Sequence, residues 1–302
     1  IAPGDFDNDG DIDYIVGNLG RNSQYRASDQ FPVSIYAKDF DNNGSYDAFP
    51  AVFFPASQQD QTMKSFPAQT REDAIKQMIG LRSKFQNYKF YAAATIEEFF
   101  SKEQLKDALV VKAINLSSSY LKNEGNGKFT MYPLPVNAEF SVLNGMVVDD
   151  FDGDNNLDVL INGNDYGTEV TVGRYDALNG LLLKGDGKGG FAAQSILQSG
   201  IYIPGNGRAL VKLRSKNGKY LLAAAQNRGP LKILGLKRNI GFISLEPADT
   251  HAAIKFTNGL SQVQEFYYGS SFLSQSARFL CTDSSMLSVT IYDSKGNARK
   301  VK

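Results

Sequence analysis

Three segments of the chain repeat one nine-residue acidic pattern, and each runs directly into an apolar, strand-like stretch. Asp5-Phe6-Asp7-Asn8-Asp9-Gly10-Asp11-Ile12-Asp13 precedes Tyr14-Ile15-Val16. Asp39-Phe40-Asp41-Asn42-Asn43-Gly44-Ser45-Tyr46-Asp47 precedes Ala48-Phe49, and Asp150-Phe151-Asp152-Gly153-Asp154-Asn155-Asn156-Leu157-Asp158 precedes Val159-Leu160-Ile161. The shared pattern is D-F-D-x-[DN]-[GN]-x-hydrophobic-D. Repeats of this kind must be recognised first, because a unit that cannot bury its own faces folds only by stacking on its neighbours.

The spacing suits a hard cation. Ca²⁺ takes about 6–8 oxygen ligands, and alternate residues of a tight loop can turn inward together. Positions one, three, five and nine offer side-chain oxygens: Asp5, Asp7, Asp9 and Asp13; Asp39, Asp41, Asn43 and Asp47; Asp150, Asp152, Asp154 and Asp158. Position six is Gly10, Gly44 or Asn155, residue types that readily adopt positive φ, and the turn brings in position seven, Asp11, Ser45 or Asn156. An EF-hand would end in Glu at position twelve and lie between helices, whereas these flanks read as strands. Mg²⁺, which retains its waters, fits less well than Ca²⁺. Loop 2, with Asn43 in place of an Asp, is expected to bind more weakly than loops 1 and 3. The alternative reading of each loop alone is a solvated Asx-rich turn.

A second repeat is interleaved with the first. Leu121-Lys122-Asn123-Glu124-Gly125-Asn126-Gly127-Lys128-Phe129 aligns without gaps on Leu183-Lys184-Gly185-Asp186-Gly187-Lys188-Gly189-Gly190-Phe191. Its glycines predict a hairpin whose closing Phe packs inward. A degenerate further copy runs from Ala209 to Tyr220, with a short Asn217-Gly218 turn where the acidic loop would be. The order loop, strand, hairpin, strand predicts an all-β protein, a β-propeller built from repeated small sheets, either incomplete or closed and small, with a C-terminal β-domain.

The acidic loops resemble the FG-GAP/VCBS repeat, the calcium-loop blade of integrin-type propellers. The C-terminal stretch is similar to the ASPIC/UnbV domain through Phe242-Ile243-Ser244-Leu245-Glu246, the core Gly269-Ser270-Ser271-Phe272-Leu273-Ser274-Gln275-Ser276, and Leu287-Ser288-Val289-Thr290-Ile291-Tyr292-Asp293-Ser294-Lys295-Gly296. It departs from that family in having Asp293-Ser294 where a Trp-Pro pair usually precedes the turn glycine. These resemblances imply a secreted or cell-surface, non-catalytic propeller, similar to bacterial VCBS surface proteins and to cartilage acidic protein. The expected organisation is blades over 1–237, with a helical insertion at about 57–110, and the ASPIC/UnbV-like domain over 238–302. Bacterial outer-surface or periplasmic location follows from the same resemblance.

Loops 1 and 2 begin 34 residues apart and loops 2 and 3 begin 111 apart, so an insertion or a loop-free blade must lie between loops 2 and 3. Thr70-Arg71-Glu72-Asp73 reads as a capping box opening a helix with Ala74, Ile75, Met78 and Ile79 on one face. Thr95-Ile96-Glu97-Glu98 and Ser101-Lys102-Glu103-Gln104 are two more N-cap signatures. Two or three short helices are therefore expected, with Phe85, Tyr88, Phe90 and Tyr91 packing them onto the blades. At roughly 40–50 residues per blade, the length outside the insertion and the C-terminal domain allows about four blades. The chain opens on Ile1-Ala2-Pro3-Gly4 with no signal core, so it reads as a fragment or processed product lacking a strand before Asp5.

Composition narrows function. Lys+Arg and Asp+Glu are equal at 32, a balance that argues against binding nucleic acid through a large basic surface. No apolar run is long enough for a transmembrane segment. The single cysteine, Cys281, cannot form an internal disulfide or a cysteine zinc site. His251 is the one histidine and has no motif around it, so catalytic residues are not expected. The leading expectation is a Ca²⁺-stabilised adhesion or binding module for an extracellular protein or glycan. The alternatives are a carbohydrate-active enzyme, lyase or hydrolase, on a calcium propeller, and a purely structural part of a larger surface protein. The loop after the third repeat supplies candidate ligand-binding residues, Asp165, Tyr166, Glu169, Arg174 and Tyr175, whose hydrogen-bonding and stacking groups suit sugars.

Overall fold

Each acidic loop joins two antiparallel strands in one register. In the computed structural model, which describes residues 1–170 and 172–302, β1 (Ala2–Gly4) and β2 (Asp13–Val16) flank loop 1, with Gly4 opposite Asp13. β3 (Val33–Lys38) and β4 (Asp47–Pro55) flank loop 2, with Lys38 opposite Asp47. The chain continues through β5 (Met63–Pro67), a helical stretch and β6 (Leu109–Ala113). β7 (Ser119–Asn123) and β8 (Phe129–Pro133) form the first glycine hairpin. β9 (Leu143–Asp149) and β10 (Asp158–Gly163) flank loop 3, with Asp149 opposite Asp158. The residue before the loop thus faces its ninth residue in all three copies.

β11 (Leu181–Gly185) and β12 (Phe191–Gln194) form the second hairpin. β13 (Gly207–Arg214) and β14 (Tyr220–Gln226) are joined by a turn closed by the Ser215 N–H on the Lys219 carbonyl, as the degenerate copy predicts, and β15 (Lys232–Gly235) completes that sheet. A short β1 does precede Asp5, contrary to the expectation that this strand is missing.

The chain divides into two compact units, Ile1–Asn22 with Ser117–Lys302, and Ser23–Leu116. In the first, the open sheets run β1-β2-β7-β8, β9-β10-β11-β12 and β13-β14-β15. Strand β9 lies beside both β1 and β13. Two-residue periodicity explains the layering. On β10, Val159 and Ile161 face a core shared with Phe6, Ile15, Leu157 and Leu183, while Leu160 faces a second core with Val147, Leu210 and Leu222. A strand buried on both faces reads as an unbroken apolar run, which is what Val159-Leu160-Ile161 is.

The C-terminal part of this unit pairs β16 (Gly241–Ser244) with β19 (Phe279–Thr282). A separate sheet contains β17 (Asp249–Phe256), β18 (Ser261–Glu265), β20 (Met286–Asp293) and β21 (Ala298–Lys300) in the order β18-β17-β20-β21. Ala252, Ile254, Val289 and Ile291 pack there against Leu280 and Ile243. His251 is a β17 residue stacked on Tyr292 at 4.7 Å. The Gly269–Ser276 core has a structural task. Ser271, Ser274 and Ser276 hydroxyls accept the N–H groups of Met146 (2.9 Å), Leu210 (3.0 Å) and Lys212 (3.1 Å), covering the open edges of β9 and β13.

The second unit is a four-stranded sheet, β5-β4-β3-β6, with its own helices: α1 (Arg71–Gln77), α2 (Leu81–Lys84), α3 (Tyr88–Ala93), α4 (Ile96–Phe99) and α5 (Lys102–Leu105). The three N-cap signatures all hold: Thr70 accepts from Asp73 N–H, and Thr95 with Glu98 and Ser101 with Gln104 make capping boxes. Five short helices form rather than two or three, because Gly80, Asn87 and Ser101 restart the chain. Ala74, Ile75 and Met78 are buried, but Ile79 lies beyond the end of α1 and is exposed. Phe85 and Tyr91 pack on Phe99 within this unit's own core, with Phe49 and Ala51 of β4. Tyr88 and Phe90 are exposed and do not take the packing role expected of them.

Candidate metal centres

The loops take their shape from backbone signs and from one recurring bond. Position six has positive φ in all three, Gly10 (97°), Gly44 (86°) and Asn155 (73°), as expected from residue type. Position four does as well, Asn8 (60°), Asn42 (57°) and Gly153 (92°), a signal present in the sequence as Asn or Gly and not read from it. The ninth Asp closes each loop by accepting the N–H of the second-position Phe: Phe6 on Asp13 (3.2 Å), Phe40 on Asp47 (3.1 Å), Phe151 on Asp158 (3.0 Å).

This shape gathers carboxylates. Oxygens of Asp5, Asp7 and Asp9 lie within 4.8 Å of one another, as do those of Asp39, Asp41 and Asp47, and of Asp150, Asp152 and Asp158. Each group could hold a metal ion. The remaining expected ligands are used differently. Asp13 is fully buried and engaged by the Phe6 N–H, the Tyr120 hydroxyl at 2.8 Å and the Asn123 N–H at 2.8 Å. Asp154 is 3.0 Å from the Lys184 ammonium. Asn43 accepts from the Ser45 N–H, Asp11 is exposed, and Asn156 accepts from Asn8 Nδ2 at 3.3 Å. That last bond joins loops 1 and 3.

Among the described residues of the three loops, loop 1 is the one with buried carboxylate oxygens that lack a hydrogen-bond partner. Asp5 is fully buried, its Oδ2 accepting from Val263 N–H at 2.8 Å, and its Oδ1 has no hydrogen-bond partner. Asp7 Oδ1 is likewise buried without a partner. A buried polar atom left unpaired is costly, and two such oxygens beside Asp9 fit a site completed by a cation. Burial pushes Asp5 up to about 6, against the opposing Val263 and Gly10 N–H groups, with Asp9 and Asp7 adding to the rise. Burial also pushes Asp158 up to about 7 and raises Asp13, Asp47 and Asp150.

Cations supplied by the chain are the part sequence reasoning missed. Lys122 pairs with Asp7, and Lys184 with Asp152 and Asp154. Arg238 bridges Asp150 (3.2 Å) and Asp283. Among the described residues, no Lys or Arg makes an ion pair with Asp39, Asp41 or Asp47. The lysines were visible as the shared second residue of the hairpin repeat; Arg238 had no local signal.

The hairpins form as expected, with Glu124 N–H on Lys128 O and Asp186 N–H on Gly190 O. Phe191 packs inward on Phe6 and Tyr120, but Phe129 is exposed at the edge beside Tyr14. The candidate ligand loop is internally paired. Asp165 bridges to Tyr175 through backbone bonds and to Arg208 at 2.8 Å, and Arg174 sits over the Tyr166 ring at 4.8 Å. Burial would raise Asp165, but the Gly167 N–H and Arg208 hold it below its ordinary value. Glu169 is exposed and does not join them; Thr171 lies outside the described residues. Cys281 donates to Asp149 at 3.4 Å in a buried cluster with Lys212 and Tyr220, and burial pushes its thiol up, which makes it a packed rather than a reactive cysteine.

No family model matches the chain, and no curated protein matches it. No helix is long and apolar enough to cross a membrane among the described residues.

Proposed function

We propose that this chain is a non-catalytic calcium-binding module of FG-GAP/VCBS propeller type with an ASPIC/UnbV-like C-terminal part, acting outside the cell or at its surface as a platform for a protein or glycan partner. The observation that carries the calcium reading is the pair of buried, unpartnered oxygens, Asp5 Oδ1 and Asp7 Oδ1, converging with Asp9. Asp5, Asp7 and Asp9, then Asp150, Asp152 and Asp158, then Asp39, Asp41 and Asp47 would hold the ions. Bound there, Ca²⁺ supplies charge neutralisation and rigid loops, not chemistry. All-oxygen donor sets of this kind suit Ca²⁺ better than Mg²⁺, and partly exposed loops fit the Kd of about 10⁻⁴–10⁻³ M of extracellular modules.

The propeller reading is supported by four antiparallel sheets before residue 238, each with its acidic loop or short turn between its first two strands, and by β9 lying beside β1 and β13. A partner-binding role is supported by the candidate ligand loop, where Asp165 pairs with Arg208 and Arg174 lies over the Tyr166 ring, so that polar and aromatic groups are held in fixed positions.

The test is a thermal melt in chelator, followed by titration with Ca²⁺ and then Mg²⁺. A ligand that binds only the folded state raises its stability as its concentration exceeds Kd. A large Ca²⁺-dependent rise that Mg²⁺ does not reproduce is the expected result, and screening of glycan and protein partners would follow under Ca²⁺. Absence of any effect of either ion would leave the loops as solvated turns and end this reading.

A further inference from the structure

Lys122 and Lys184 occupy the same place in the two hairpin repeats, the second residue of L-K-[NG]-[ED]-G-x-G-[KG]-F. Each reaches the acidic loop of its own sheet. Lys122 Nζ is 2.5 Å from Asp7 Oδ2. Lys184 Nζ pairs with Asp152, the corresponding third position, and also lies 3.0 Å from Asp154 Oδ2. Asp7 and Asp152 belong to the carboxylate groups that could hold an ion, and neither is the ninth Asp that closes its loop. In loop 1 the arrangement is incomplete: Lys122 meets one oxygen of Asp7, while the other oxygen of Asp7 and Oδ1 of the fully buried Asp5 have no partner. One tethered positive charge therefore leaves part of the site unsatisfied.

We propose that Lys122, and by repetition Lys184, are tethered counter-cations that hold loops 1 and 3 together when no metal is bound and lower the affinity of those loops for a divalent cation by competing for the same carboxylates. This rests on the cation reading of the loops given above. The physical argument is direct. A dication entering a loop meets an ammonium already there, and at a separation of about 6 Å in a water-like dielectric their repulsion weakens binding on the order of tenfold. The same ammonium partly neutralises the ion-free loop. Loop 2, with no such lysine among the described residues, has neither effect, so the affinity order expected from carboxylate number alone is shifted in favour of loop 2 relative to loop 3, where Lys184 and Arg238 both face the acids.

The experiment is a Ca²⁺ titration by calorimetry, paired with melts in chelator, on wild type, Lys122→Met and Lys122→Arg. Methionine keeps an apolar stem without the charge, and arginine keeps the charge. To isolate loop 1, the three chains also carry Asp41→Asn and Asp152→Asn; if that background does not fold, the same substitutions in the otherwise intact chain report the shift as a change in one class of site. Lys122→Met should bind Ca²⁺ about tenfold more tightly at loop 1 and melt lower in chelator, while Lys122→Arg behaves as wild type. Unchanged or weaker Ca²⁺ binding by Lys122→Met would overturn the proposal, since the lysine would then be positioning Asp7 for the ion. Absence of binding by the wild type itself would overturn the cation reading along with it, and the wild-type titration separates the two failures.

Discussion

Asp158 Oδ1 accepts the backbone N–H of Gly185 at 3.0 Å, so the last residue of the third acidic loop is bonded to the third residue of the second hairpin. Asp13 and Asn123 repeat the contact at 2.8 Å in the first sheet. With the Phe151 N–H on its other oxygen, Asp158 is a two-sided acceptor that ties loop to hairpin. Asparagine can accept only one of these bonds and would turn its NH₂ toward the other donor. Asp158→Asn should therefore cost about 2 kcal/mol in chelator, the scale of an unsatisfied buried donor, whereas Asp154→Asn, which can keep the Asn156 N–H on its amide oxygen and loses only a partly exposed pairing with Lys184, should cost under about 1 kcal/mol. Urea melts of the two variants compare them directly, and equal stability would show that the two-sided bond contributes little.

Buried carboxylates set the pH dependence of the metal-free chain. Burial raises Asp5 to about 6 and Asp158 to about 7 in the fold, against about 3.9 when unfolded. Between those values the folded state binds the more protons, so this contribution to stability is present at low pH and is lost as pH rises through the folded values. In chelator, the Tm should fall between about pH 4 and pH 7. Asp5→Asn removes the Asp5 share of this slope. With Ca²⁺ bound the slope should flatten. A metal-free Tm that climbs with pH in wild type and Asp5→Asn alike would contradict this account.

Close backbone approach between β9 and β13 depends on Gly145. A Cβ there would stand 2.5 Å from Leu210 N and 2.7 Å from Arg208 O, and neither backbone atom can swing aside. Gly145→Ala should destabilise by about 3 kcal/mol, the upper range for overpacking. Calorimetric melting would show it, and a shift within error of wild type would mean that the two strands separate at little cost.

The Ser271, Ser274 and Ser276 hydroxyls cover N–H groups on the edges of β9 and β13. Alanine at Ser274 should cost about 1 kcal/mol, and the triple alanine variant should also speed amide exchange at Met146, Leu210 and Lys212. Unaltered exchange at those three amides would remove the edge-covering role.

Where loops, hairpins and caps fall is written in short stretches of residues. Positive φ at Gly10, Gly44 and Asn155, the Asn217-Gly218 turn and the Thr95 and Ser101 caps follow from steric and hydrogen-bonding rules that act within a few residues. The three carboxylate clusters were legible for the same reason, since loops of nine residues fold on themselves. Which atoms complete them depends on contacts between distant parts of the chain. Val263 bonds to Asp5, Arg238 to Asp150 and Lys122 to Asp7 across long chain separations, and the segment carrying loop 2 is inserted between β2 and β7 of a single sheet. Phe129 and Phe191 close identical hairpin motifs, yet one is exposed and the other packs on Phe6. Burial is a property of which sheet lies alongside, and a repeat unit does not encode its neighbour.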